Sequence, residues 1–140
     1  MVRPSFASVR KHYPTSRTHS CSMTFPNTCA IRMSEALVAA SPRLLDAFKR
    51  SGKNRCPHDF VRGAQDLAAI LASPTVFGTR DHGWEKPGTA PKKIEGLTGI
   101  ICFMNIPSFG GQGHIDLWDR NGPIGAAYWD ASPVWMWELQ

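Results

Sequence analysis

The chain lacks several features that would assign it to common classes. No apolar run in its 140 residues approaches the roughly 20 residues a spanning helix needs, so membrane insertion is not expected. Its four cysteines, Cys21, Cys29, Cys56 and Cys102, include no CxxC pair, and without that spacing neither a zinc site nor any other cofactor is expected. Cys56-Pro57-His58 offers at most two ligands with Cys21 as a third, against which stand free thiols or a single disulfide. The basic residues are scattered, with no arginine-rich stripe or interleaved aromatics, and this argues against a nucleic-acid partner. The amino terminus, MVRPSFASVRKHYP, carries Arg3, Pro4, Arg10 and Lys11 where a secretory signal needs an uninterrupted apolar stretch. Export by the general pathway is therefore not expected. Internal repeats and low-complexity segments are absent.

What remains is an ordinary globular composition, 42% hydrophobic and 19% charged, which suggests neither disorder nor a membrane protein. The length suits one domain spanning residues 1–140 and is too short for two comfortable ones. A net charge of +5 and a pI near 9.3 bias the protein toward an anionic polymer such as nucleic acid, a membrane surface or the cell wall. In an oxidising compartment Cys21 and Cys56 are the expected disulfide pair, because that choice leaves Cys29 free.

Helical signals fill the first half and strand signals the second, the pattern of an α+β domain with amino-terminal helices packed on a carboxy-terminal antiparallel sheet. An irregular basic arm comes first. Asn27 is then a good N-cap for a helix in which Ala30, Met33, Leu37 and Ala40 recur at helical spacing, so Cys29 falls in its first turn. A second helix is expected to start with Ser41 as cap and Pro42 in its first turn, to carry Leu44, Leu45 and Phe48 inward, and to stop at Gly52. A third covers roughly Asp59 to Leu71. From about Ser73 to Gly96 the Gly-, Pro- and charge-rich chain reads as a functional loop, the lid or wall of a groove. LTGIICFMNIP is a β-rich run, SFGGQG a glycine loop, and GHIDLWDR alternates as a strand should. Asn121-Gly122 is a hairpin turn signal leading into GAAYWDA, and PVWMWEL forms the last strand.

A thiol at the start of a helix sees the positive end of the macrodipole, which favours the thiolate. Cys29 is thus placed as a nucleophile, although a lone Cys near an apolar helix is also a common core residue. His114, behind Gly111 and Gly113 on an otherwise apolar strand, is placed to take the thiol proton and later to protonate a leaving amine; a partly buried structural histidine is the competing reading. A helical cysteine followed much later by a strand histidine is the chain order of papain-like cysteine hydrolases. The third member should orient the imidazole. If the hairpin loop holds three residues around Asn121-Gly122, His114 faces Asp130 across the strand pair; Asp116, two residues along on the same face, is the rival. Asp119 reads as a solvated turn residue.

The stretch RPSFASVRKHYP, the block NTCAIRMSEAL, the segment RGAQDLAAIL and the block GHIDLW with its closing tryptophan strand together resemble the fourth amidase effector family of bacterial type VI secretion. The resemblance runs from about Arg3 to Leu139. It implies a papain-like fold related to NlpC-type wall hydrolases, and a toxin that is cytoplasmic in its producer and injected by the secretion machinery into the periplasm of a rival cell. There it would cut the γ-D-glutamyl to meso-diaminopimelate bond of the peptidoglycan stem peptide, while an immunity protein blocks the cleft in the producer. The family's nucleophile falls on Cys29 and its base on His114. Its orienting aspartate follows the histidine by eleven residues between two disulfide-forming cysteines, and that slot is Gly125 here, flanked by Pro123 and Ala127. The third catalytic residue, Asp130 or Asp116, stays open.

Arg32, one turn after Cys29, is either a solvent-facing helix charge or a ligand for a substrate carboxylate. The backbone N–H of Cys29 is the natural oxyanion donor. The reading is thus a metal-free cysteine amidase. Its rivals are a cysteine protease or deamidase acting on a protein, and a non-catalytic wall-binding module in which Cys29→Ala leaves toxicity untouched.

Overall fold

The computed structural model describes residues 2–16, 19–25, 28–88 and 91–140. The arm expected to be irregular is helical. Ser5 caps α1 (Phe6–His12) by accepting the Ser8 N–H, and the Phe6 N–H donates to the Gln140 carbonyl at the other end of the chain. A second short helix, α2 (Ser20–Thr24), is capped by His19, whose Nδ1 accepts the Cys21 N–H. Neither helix is long enough to announce itself by periodicity. Tertiary burial stabilises them instead, since Val9, Tyr13 and Cys21 are all buried.

The central helix, α3 (Cys29–Ala40), begins at the cysteine, with Thr28 at the cap position. Asn27, expected to be that cap, lies outside the described residues. Ala30, Met33 and Leu37 of α3 are wholly buried. A turn from Ser41 leads into α4 (Leu44–Arg50), and Gly52, at φ +73°, ends it. The third expected helix starts late. Asp59 sits at φ +67°, Cys56 and Phe60 close a turn by a backbone bond, and the Val61 N–H is taken by the Ser34 hydroxyl. These side-chain and turn bonds compete with helical ones, so α5 is only Ala64–Leu71.

The segment read as a lid contributes strand β1 (His82–Trp84) and a 3₁₀ turn at Lys92–Ile94. The rest of the sheet is β2 (Thr98–Ile106), β3 (Gln112–Asp119), β4 (Gly122–Pro123) and β5 (Val134–Glu138), in the antiparallel order β1-β5-β2-β3-β4. β1 thus lies at the edge far from β3, with β5 and β2 between them, which is a sheet edge and not the flank of His114. The turn expected at Asn121-Gly122 falls one residue earlier, at Arg120-Asn121 with Arg120 at φ +60°, and β4 pairs Trp118 with Pro123 and Asp119 with Gly122. One further bond, from the Ile124 N–H to the Leu117 carbonyl at 3.0 Å, ends the pairing, and GAAYWDA then leaves the sheet.

Alternation along β2 and β3 divides the core between the two faces of the sheet. Ile100, Cys102, Ile115 and Leu117 pack with Met33, Leu37, Phe48 and Leu67 of the helices. Ile101, Phe103 and Trp118 pack with Ala131, Val134 and Met136 on the other face. Each such large side chain contributes roughly 1.5–3 kcal/mol relative to exposure. Gly113 is where α5 meets β3; a Cβ there would come within 2.8 Å of Gln65 Cγ and 3.2 Å of the Phe103 carbonyl. A third cluster of Cys21, Ile31 and Cys56 is closed by the Cys21–Cys56 disulfide. No helix of the described residues is long and apolar enough to cross a membrane.

Candidate active site

Cys29 and His114 meet where the first turn of α3 packs against β3, and the thiol and imidazole are hydrogen-bonded. Both are buried, Cys29 at 3% and His114 at 9% exposure. The two-residue period of β3 puts Asp116 on the face that carries His114, and its Oδ2 lies 3.1 Å from His114 Nε2. Because Nε2 is engaged by the carboxylate, Nδ1 is the nitrogen left for the thiol. The ring of Phe103 stacks beside the imidazole with centroids 6.2 Å apart, and Tyr128 meets it edge-on at 5.3 Å.

Asp116 is 1% exposed and fully partnered. The Gly125 N–H donates to Oδ2 at 2.7 Å, the Leu117 N–H to Oδ1 at 2.8 Å and the Tyr13 hydroxyl to Oδ1 at 3.3 Å. Burial, then the charge of Asp116, push the Tyr13 phenol far above its ordinary range, so it stays a neutral donor. Gly125, the position where the resemblance puts an aspartate, is occupied by backbone alone. A Cβ there would lie 2.8 Å from Asp116 Oδ2 and 3.8 Å from His114 Nε2. The Asp116 carboxylate therefore needs the space a side chain at 125 would take. Gly125→Ala is expected to lower kcat roughly 10- to 100-fold with little change in KM, by displacing the carboxylate and with it the imidazole; steady-state kinetics reads this directly.

Asp130 is not brought to the imidazole. Across β2 and β3 the partner of His114 is Phe103, while Asp130 lies outside the strands and its Oδ2 accepts the Ser108 N–H at 2.8 Å. Bonds from the Ser108 hydroxyl and backbone hold its carboxyl below the usual carboxylate range. The expected facing pair required a longer hairpin than the two-residue β4 provides. Arg32 is half-buried rather than solvent-facing, and its charge acts on Tyr13. Neither Tyr13 nor Tyr128 is marked by the sequence; Tyr13 lies 103 positions from its carboxylate partner, beyond the reach of any local pattern.

Burial disfavours the charged imidazole, but its hydrogen bonds to Asp116 and Cys29 and the charges of both outweigh it and push His114 up to about 9. The imidazole is therefore held in its charged form at neutral pH, hydrogen-bonded between Asp116 and Cys29. This gives a sign to the pH response. The folded-state value lies above the unfolded 6.5, so the stabilisation is complete below about pH 6.5 and lost as pH rises through about 9. Activity is expected to fall along an alkaline limb near pH 9 for the same reason. Asp116→Asn should shift that limb to lower pH in a kcat profile.

A groove of about 440 Å³, lined by residues that include Phe25, Arg62, Gln65, Gln112 and Gly113 but by none of Cys29, His114 and Asp116, runs along α5. Gly113 on its wall is the chain neighbour of His114, and the Arg62 guanidinium lies 4.0 Å over the Phe25 ring, which holds a cation on the same wall. Elsewhere, His19, Cys21 and His58 place ring nitrogens and sulfur within 4.8 Å of one another. His82 instead pairs with Glu138 at 3.1 Å.

The family model for type VI secretion system amidase effector protein 4 matches residues 25–137. No curated protein sequence matches. Among solved structures, the type VI effector–immunity complex Tae4–Tai4 from Enterobacter cloacae is similar at 22% identity and TM-score 0.73, covering 99% of this chain and 100% of that chain. The Tae4–Tai4 complex from Salmonella Typhimurium is similar at 19% identity and TM-score 0.72, with the same coverage. The effector alone from Enterobacter cloacae gives 19% identity and TM-score 0.71, covering 99% of this chain and 98% of that chain. These likenesses show that the chain shares the α+β fold of those effectors, helices packed with an antiparallel sheet. With the family model spanning most of the sequence, the chain belongs to the amidase effector protein 4 family of type VI secretion and is a peptidoglycan amidase effector.

Proposed function

We propose that residues 1–140 form one cysteine amidase domain that hydrolyses the γ-D-glutamyl to meso-diaminopimelate bond of the peptidoglycan stem peptide. The observation that carries this reading is the continuous chain of hydrogen bonds from Cys29 through His114 to Asp116. The Cys29 thiolate attacks the γ-carbonyl carbon, and the resulting oxyanion is held by the backbone N–H of Cys29 at the start of α3. His114 protonates the departing diaminopimelate amine, leaving a thioester. His114 then takes a proton from water, which attacks the thioester and releases a D-glutamate carboxylate and the thiol. Asp116 fixes the ring so that Nδ1 faces the sulfur. Arg62 on the groove wall binds a stem-peptide carboxylate, and the net charge of +5 favours the anionic wall. No metal or cofactor enters any step.

The site of action is the periplasm of a rival cell, reached through the type VI machinery from the producer's cytoplasm. Related structures described as effector–immunity complexes support a dedicated immunity protein that covers the groove of this chain. The deciding experiment digests isolated peptidoglycan with the purified protein and with Cys29→Ala, and identifies the fragments by mass spectrometry. New amine and carboxyl ends between D-glutamate and diaminopimelate, seen only with the native protein, are expected. Intact wall in both samples, with the native protein folded, would move the assignment to a protein substrate or a binding role.

A further inference from the structure

The disulfide that ties α2 to the turn before α5 has two imidazoles around it. His19-Ser20-Cys21 and Cys56-Pro57-His58 each carry a sulfur and a ring one residue apart. Cys21 Sγ lies 3.3 Å from His58 Nδ1, and the His19 and His58 rings meet edge-on with centroids 4.7 Å apart. Both sulfurs are buried against Ile31, Phe25 and Phe60, whereas His58 is exposed and His19 half-exposed. One side of the cluster is therefore dry and the other open to an entering ion. Two sulfurs and two imidazoles are the donor set of a tetrahedral Cys₂His₂ zinc site.

We propose that, once the Cys21–Cys56 disulfide is reduced, His19, Cys21, Cys56 and His58 bind one zinc ion. The same junction is then held by a disulfide in an oxidising compartment and by a metal in a reducing one. Two molecules of a low-molecular-weight thiol reduce the bond, are themselves oxidised to their disulfide, and leave Cys21 and Cys56 as thiols. Zinc binding then releases the two thiol protons. In reverse, a disulfide donor takes two electrons from the zinc-bound thiolates, Cys21 and Cys56 rejoin, the donor leaves as two thiols after taking up two protons, and zinc departs. The backbone accommodates both states. Sulfurs sharing a tetrahedral zinc at ~2.3 Å lie about 3.8 Å apart, a separation that Cα atoms 5.9 Å apart can span by side-chain rotation. The cost is local. His19 Nδ1 now accepts the Cys21 N–H at 3.0 Å, and this lone pair is lost whichever ring nitrogen takes the metal, since ligation by Nε2 moves the ring proton to Nδ1.

The test uses the full chain in a Cys29→Ala background, so that the active-site thiol cannot contribute. The protein is reduced with a phosphine and titrated with Co²⁺ and then Zn²⁺ in the absence of oxygen. One cobalt per chain is expected, with thiolate-to-cobalt charge-transfer absorbance and intense tetrahedral ligand-field bands that zinc abolishes. His19→Ala and His58→Ala should each weaken binding by at least the ~10- to 100-fold that loss of even an outer-shell partner costs. Both variants keep the disulfide when oxidised, so thermal unfolding of the oxidised samples shows that they fold. If the reduced chain unfolds, recovery of its circular dichroism on adding zinc supports the proposal. Overturning results are the lack of a stoichiometric cobalt–thiolate band, uptake indifferent to both histidines, or a reduced chain that zinc fails to refold.

Discussion

Cys29→Ala is expected to reduce stem-peptide hydrolysis on the order of 10⁴- to 10⁶-fold, the range set by losing the nucleophile of a catalytic unit whose members act together. The fold should survive, because the position is a helix start and alanine is a good helix former. Binding to peptidoglycan should persist at nearly native strength, since the groove is lined by other residues. The measurement is single-turnover hydrolysis alongside a pull-down on isolated wall. A variant retaining more than about one-hundredth of the native rate would leave the thiol without the role proposed for it. The same change also separates a catalyst from a binding module, whose toxicity would be unaffected.

The second large effect concerns the choice between two aspartates. Asp116 accepts four bonds, from His114, Gly125, Leu117 and Tyr13, and is 1% exposed. Asp116→Ala leaves those donors without their acceptor, and each unsatisfied buried group costs about 1–3 kcal/mol. Allowing for relaxation and water entry, a loss of about 3 kcal/mol, on the order of 10 °C in Tm, is expected. Asn is no conservative replacement, because its amide would present N–H groups to two of the donors. Asp116→Asn should lower kcat about 10²- to 10⁴-fold through a misplaced imidazole. Asp130→Ala, by contrast, removes an exposed carboxylate whose partner is Ser108, and should leave kcat within a factor of about two and stability within ~0.5 kcal/mol. Kinetics and thermal unfolding of the three variants decide the matter. Equal losses at both positions would overturn the assignment of Asp116 as the positioning residue.

The two aspartates also mark where sequence reading stops. That Asp116 shares a face with His114 follows from the period of a strand and was readable from GHIDLW. Whether Asp130 also arrived there depended on hairpin length, and Asn121-Gly122 signals a turn without saying how far pairing continues. Pairing stopped once the Ile124 N–H had met the Leu117 carbonyl, and GAAYWDA left the sheet to supply Tyr128 to the His114 ring instead. The slot at Gly125, which looked like a missing acid, is in the folded chain the room that Asp116 needs.

The amino-terminal arm shows the converse. Its composition reads as a basic tail, and helices of seven and five residues are too short for propensity to specify. They form because α1 packs on α3 and because Ser5 and His19 supply caps.

By itself, then, the sequence determined the order of helices before sheet, the helix that starts near Cys29 and the strand that carries His114 and Asp116 on one face, because those depend on local period. The tertiary structure alone decided which aspartate meets the imidazole, that Tyr13 and Gly125 complete its partners, that the segment before Gly96 joins the sheet, and that His19 and His58 gather at a disulfide. These are contacts between residues far apart in the chain, set by register and loop closure, and no local pattern of residues encodes them.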